Sequence, residues 1–281
     1  LYEKDNNFLM MSFPQELRLR NPALFWFGLI CLGMALVFLV LTRASSTQVN
    51  NISAWWKPFK FALSIAVYSW TMGWLCHYLP HFRVSLFNTA VIVLLGFEIV
   101  YIALQAGRGQ LSHFNVSTPL YTTLYGLMGL AAVAVTIYTA YVGVLFFRGH
   151  FPGLPEAYLW GIRLGIVIFV IFSFEGGLMG GRMTHTIGGA DGGPGLPLVN
   201  WSTQYGDPRI AHFIGMHALQ LLPLLSFYVL HSNAAVFIVS GLYLMLAVFT
   251  LVQALKGRPL VQIGPNDKAM RYHRVESDRA T

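Results

Sequence analysis

Ten polar side chains fall at or near membrane depth and trace to one end of the helices that carry them: Glu98, Gln105, Arg108, His113, Glu175, Arg182, His185, His212, His217 and Gln220. Charge inside hydrocarbon is expensive, so such residues mark a site, a pathway or a partner surface. Neutral imidazole together with carboxylate suits Zn or non-haem Fe, and imidazole alone suits haem iron. His113, His185, His212 and His217 are therefore the candidate metal ligands, with His217 and His113 the candidate axial ligands of haem b. Glu98 and Glu175 are the candidate catalytic groups, proton acceptors beside a metal that activates water or oxygen. Arg108 and Arg182 suit an anionic head group, and with Gln105 and Gln220 they are the candidate substrate-binding side chains.

The spacing of these residues sorts them by helix face. Glu98, Tyr101 and Gln105 recur at three- and four-residue intervals and share one face, which runs into a loop broken by Gly107 and Gly109. His212 and His217 are five residues apart, roughly 140° around an ideal helix, so they are not the paired ligands of an HExxH motif. His217 and Gln220 share a face, whereas His212 is expected to point elsewhere, toward the loop or the lipid boundary. His77, His81, His150 and His231 belong to the opposite end, where an interfacial role is the simpler reading. Cys31 and Cys76 lie inside apolar segments and imply neither a disulfide framework nor a Cys-rich metal site.

Only a membrane can hold such elements in place. The chain of 281 residues is 56% hydrophobic and 10% charged, with a mean hydropathy of +0.58, outside the range of soluble globular proteins. The expected fold is all-α, a polytopic integral-membrane bundle of roughly seven helices of about 20 residues or more. The spans fall near 24–42, 59–79, 85–106, 119–147, 158–181, 210–230 and 234–255, in one domain over 1–281 joined by short hairpins. The exception is a long connection, 182–209, rich in Gly and Pro yet carrying Asp191, Trp201, Asp207 and Arg209, which reads as a structured cap. Gly161 with Gly165, and the cluster Gly176, Gly177, Gly180 and Gly181, have the small-residue spacing of closely packed helices.

The first apolar run is preceded by no cleavable signal pattern and reads as a retained span, with initiation expected at Met10 or Met11. Arg18 and Arg20 favour an inside N-terminus, while Arg43, Lys57, Lys60, Lys256, Arg258, Arg271 and Arg274 favour a cytoplasmic C-terminus, which is the expected orientation. The net charge of +7 suits anchoring to anionic lipid and requires no nucleic acid.

The stretches Trp56 to Phe61, Gln105 to Asn115 and Ala211 to Gln220 resemble segments of an uncharacterised bacterial polytopic membrane-protein family. That resemblance implies a bacterial inner-membrane location and carries over no activity and no site residue. The last span lacks the lysine a rhodopsin needs, and it lacks the HxxxH pair of proteins that resemble alkaline ceramidases. The leading expectation is a metal or haem site, holding Fe, haem b or Zn, that acts on a lipid-soluble molecule. The alternatives are a solute transporter or sensor, or an accessory subunit that docks on other membrane subunits.

Overall fold

The computed structural model describes residues 12–263. Met10, Met11, Arg271 and Arg274 lie outside the described residues. Within them the chain is helical apart from one two-residue hairpin and its loops. Contacts divide it into two compact units, Leu1–Gly153 and Leu154–Thr281.

The first unit holds α1 (Phe13–Arg20), α2 (Pro22–Ala44), α3 (Trp56–Cys76), α4 (Val84–Gly107) and α5 (Pro119–Arg148). Local chemistry sets the boundaries. The side chain of Asn21 caps α2 by accepting from the Leu24 N–H at 3.1 Å, with Pro22 pre-set at the first helical position. Thr118 and Pro119 repeat the arrangement at α5, where Thr118 Oγ1 accepts from the Tyr121 N–H at 3.2 Å. Between α2 and α3, strands β1 (Gln48–Val49) and β2 (Ile52–Ser53) pair across Asn50 and Asn51, both at positive φ as a tight hairpin turn demands.

Helices stand at all seven positions where spans are expected, and six of them are long and apolar enough to cross a membrane. The exception, α3, has the length, at 21 residues. Lys57, Lys60, Ser64, Ser69, Thr71 and several aromatic residues lower its hydropathy. The physical reason for tolerating them is position. α3 packs against α1, α2 and α4, and Tyr68 and Trp70 find hydrogen-bond partners on neighbouring helices. Thr139 Oγ1 donates to the Val135 carbonyl, which leaves the Tyr68 hydroxyl to donate to Thr139 Oγ1 at 2.7 Å. Trp70 Nε1 donates to the Phe25 carbonyl of α2 at 3.1 Å.

The second unit holds α6 (Glu156–Arg182), the loop 183–208, α7 (Arg209–Tyr228) and α8 (Asn233–Leu255). α6 and α7 lie closest together, because small residues face the partner backbone. A Cβ at Gly165 would sit 2.8 Å from the Ala218 carbonyl oxygen, and one at Gly215 would overlap the Phe172 ring. The packing reading of Gly161 and Gly165 is thus seen directly, whereas a Cβ added at Gly177 or Gly181 would meet nothing within 4 Å. Ile168, Phe172, Ala211, Ala218, Leu222 and Ala247 form the shared core of the three helices. Tyr243 of α8 donates to the Ile214 carbonyl of α7 at 2.5 Å.

Candidate functional site

The loop 183–208 is folded around two carboxylates. Asp207 is 1% exposed and accepts from the Ser202 N–H at 2.8 Å, the Arg209 N–H at 3.1 Å, and Arg209 Nε and Nη2 at 2.8 and 2.5 Å. Arg209 also donates to the Asn200 carbonyl at 2.7 Å, so one guanidinium ties the loop to the first turn of α7. Asp191 accepts from the His185 ring at Nδ1 (2.8 Å), from the His185 backbone N–H (3.0 Å to each oxygen) and from Thr184 Oγ1 (2.8 Å). Burial alone would raise this carboxyl group, but those donors outweigh it and hold Asp191 well below the usual carboxylate range. Two isolated bridges, Ile187 with Gly206 and Gly195 with Ser202, close the loop on itself.

Beneath this loop, α6 and α7 bring Glu175 and His212 together. Helix α6 ends at Met183, which takes the left-handed conformation (φ 55°), and Glu175 lies two turns earlier. The Glu175 side chain is 7% exposed, and neither carboxylate oxygen has a hydrogen-bond partner among the described residues. His212 Nδ1 is 3.4 Å from Glu175 Oε2, yet its hydrogen bond goes to the Phe172 carbonyl at 2.7 Å. A carbonyl can only accept, so Nδ1 carries the hydrogen and Nε2 is left as the basic nitrogen. The ring reaches α6 because Gly176 has no side chain: a Cβ there would lie 2.8 Å from His212 Cε1.

His212 therefore departs from the expectation that it turns to the loop or the lipid boundary. It points at α6. His217 stays on its own helix, donating from Nδ1 to the Phe213 carbonyl at 2.8 Å and stacking on the Phe213 ring at 4.1 Å. Phe213 in turn meets Trp201 of the loop edge to face at 5.5 Å, so an aromatic ladder joins loop to helix. Gln220 is half-buried on α7, and Arg182 is exposed at the end of α6.

In the first unit, Glu98 is buried on α4. Gln105 Nε2 donates to the Leu111 carbonyl at 3.2 Å and to the Tyr101 hydroxyl at 3.3 Å, tying the 108–118 loop to α4, while Arg108 caps that helix exposed. His113 sits against Phe61, Phe114 and Tyr125, with Ser112 Oγ 3.2 Å from its Nδ1.

Of the expected metal ligands, His113 lies in the first unit and His185, His212 and His217 in the second, and among the described residues no three His, Cys, Asp or Glu side chains gather as donors. His185, His212 and His217 each direct Nδ1 to a separate acceptor, Asp191, Phe172 and Phe213 respectively. The expected haem ligands His113 and His217 belong to different units.

The residues that sequence reasoning missed are Phe172, whose carbonyl fixes the His212 tautomer, and Gly176, whose missing side chain admits the ring. Gly176 stood in the glycine cluster beside Glu175, but nothing in the chain marks which helix fills the space. Comparison with protein-family models, with curated proteins and with solved structures finds no match to this chain.

Proposed function

We propose that the chain is a proton-coupled carrier or sensor of a small hydrogen-bonding solute, embedded in the bacterial cytoplasmic membrane with its C-terminal side in the cytoplasm. The observation that supports this is Glu175, a buried carboxyl group on a membrane-length helix with no hydrogen bond among the described residues and with an imidazole 3.4 Å away. Intramembrane carboxyl and imidazole groups in such pairs serve proton relays and solute paths. The pair can accept or release a proton at His212 Nε2 and at Glu175. A solute bearing N–H or O–H groups would supply the hydrogen bonds that Glu175 lacks. The loop 183–208, held by Asp191 and Asp207, is the cover of that site. This reading stands ahead of a metal enzyme because the histidines are committed separately, and ahead of an accessory subunit because a docking surface does not require an unsatisfied buried carboxyl group. The bacterial location rests on the family resemblance, and the orientation on Lys256 and Arg258 just beyond α8.

The test is pH-induced infrared difference spectroscopy on the reconstituted protein. A carboxyl C=O band that is lost in Glu175→Gln and displaced in His212→Gln is the expected result. Identical difference spectra in wild type and Glu175→Gln would overturn the proposal.

A further inference from the structure

The first unit has a carboxyl group of its own that nothing described in it pairs. Glu98 lies inside α4, a helix of membrane length, about 14 Å from the end at Gly107 by the rise of an ideal helix. It is 7% exposed, on the face where Val91, Leu95, Ile102 and Gln105 are also buried. It forms no hydrogen bond or ion pair with a described residue. The cations of the helices packed against α4 stand at helix ends: Arg43 closes α2, Lys57 and Lys60 open α3, and Arg148 closes α5. None of them pairs with Glu98. The unit's other described carboxylate, Glu16, is by contrast paired with Arg20 at 2.8 Å.

The surroundings select the ligand. An ionised carboxylate here would lose its hydration and gain nothing in return, so the form the interior tolerates is the neutral acid. A bound calcium ion takes about six to eight oxygen ligands, and Glu98 belongs to no group of three His, Cys, Asp or Glu donors among the described residues. An organic cation needs an open face, which a side chain 7% exposed does not offer. A proton needs neither. An approach for it lies one turn along the same face, where the Tyr101 hydroxyl accepts from Gln105 Nε2 and keeps its own hydrogen to donate. Gln105 Nε2 also donates to the Leu111 carbonyl, which carries the polar line from α4 into the 108–118 loop.

We propose that Glu98 is a second proton-binding site of this chain, held as the neutral acid inside the first unit and separate from Glu175 in the second. Ionisable groups at membrane depth serve such sites, and a leucine or methionine would fill the same space without the cost of burying a carboxyl group.

The test is a pH titration of the full reconstituted chain, followed by infrared absorption, on wild type, Glu98→Gln, Glu98→Asp and Glu175→Gln. The expected result is a carboxylic-acid C=O band at neutral pH that is lost in Glu98→Gln, shifted in Glu98→Asp and kept in Glu175→Gln. As the pH is raised, carboxylate bands should replace it while the amide bands stay native. Glu98→Gln removes no hydrogen bond, so the fold should survive it, and the amide bands of the same spectra report that directly. A wild-type spectrum without that band, or with a band insensitive to both Glu98 variants, overturns the proposal. A band that stays constant at every pH where the amide bands are native is a fixed acid rather than a site, and overturns it too. Because the two glutamates are replaced one at a time, failure of the Glu175 reading and failure of this one are distinguishable.

Discussion

Two buried carboxylates in the second unit sit under opposite conditions. Asp207, in the loop, is saturated by backbone N–H groups and the Arg209 guanidinium. Glu175, on α6, is buried to a similar degree and accepts nothing from the described residues. The first arrangement is what a folded loop needs, because a buried anion is tolerated when every lone pair is used. The second has no such structural account, and it stands next to an imidazole that a glycine has admitted. The difference separates scaffold from site more sharply than residue type does, since both are ordinary acidic side chains in a Gly-rich neighbourhood.

The largest effect should come from breaking the saturated side. Asp207→Ala strands Arg209 and two backbone N–H groups, and should cost about 3–5 kcal/mol, read as a lowered unfolding midpoint in detergent. Asp191→Ala should cost about 1–3 kcal/mol, seen as faster hydrogen exchange across 183–208. Asp191 adds a pH signature. Its carboxyl group is held below the ordinary value, so its contribution is complete above about pH 4 and is lost as pH falls through the depressed folded value. Loop protection in wild type should therefore decline as pH falls below about 4, while Asp191→Ala shows no such decline.

On the unsaturated side the stability effects shrink. Gly176→Ala gains about 1 kcal/mol of helix propensity and must displace the His212 ring, so the unfolding midpoint should shift little. The carboxyl infrared band should nevertheless move, because the imidazole has left Glu175. Glu175→Gln should change stability by less than about 1 kcal/mol, since no hydrogen bond is lost, while abolishing that band. A Glu175→Gln variant as unstable as Asp207→Ala would erase the distinction between the two regions.

Much of this arrangement was legible in the chain. Hydropathy and length located every long helix, and the acidic, basic and aromatic residues among the glycines of 183–208 marked a folded loop. Glu175 and His212 both stood out as polar groups at membrane depth. Their pairing did not, because helical phase fixes a residue's face only relative to its own helix. His212 and His217 differ by roughly 140°, and which of those directions meets α6 depends on where glycines let the helices close. The lower hydropathy of α3 was readable too, but its tolerance depends on Tyr68 and Trp70 finding partners on α5 and α2.

That dependence on partners has a consequence for biogenesis. Helices leave the ribosome in order, and α3 emerges after α1 and α2 but before α4 and α5. Its Trp70 can already reach the Phe25 carbonyl of α2, while Tyr68 must wait for Thr139, which is translated 71 residues later. The expected span that is least apolar is thus delivered as the second arm of a hairpin with α2, and its Tyr68 hydroxyl finds its partner only after α5 has been made.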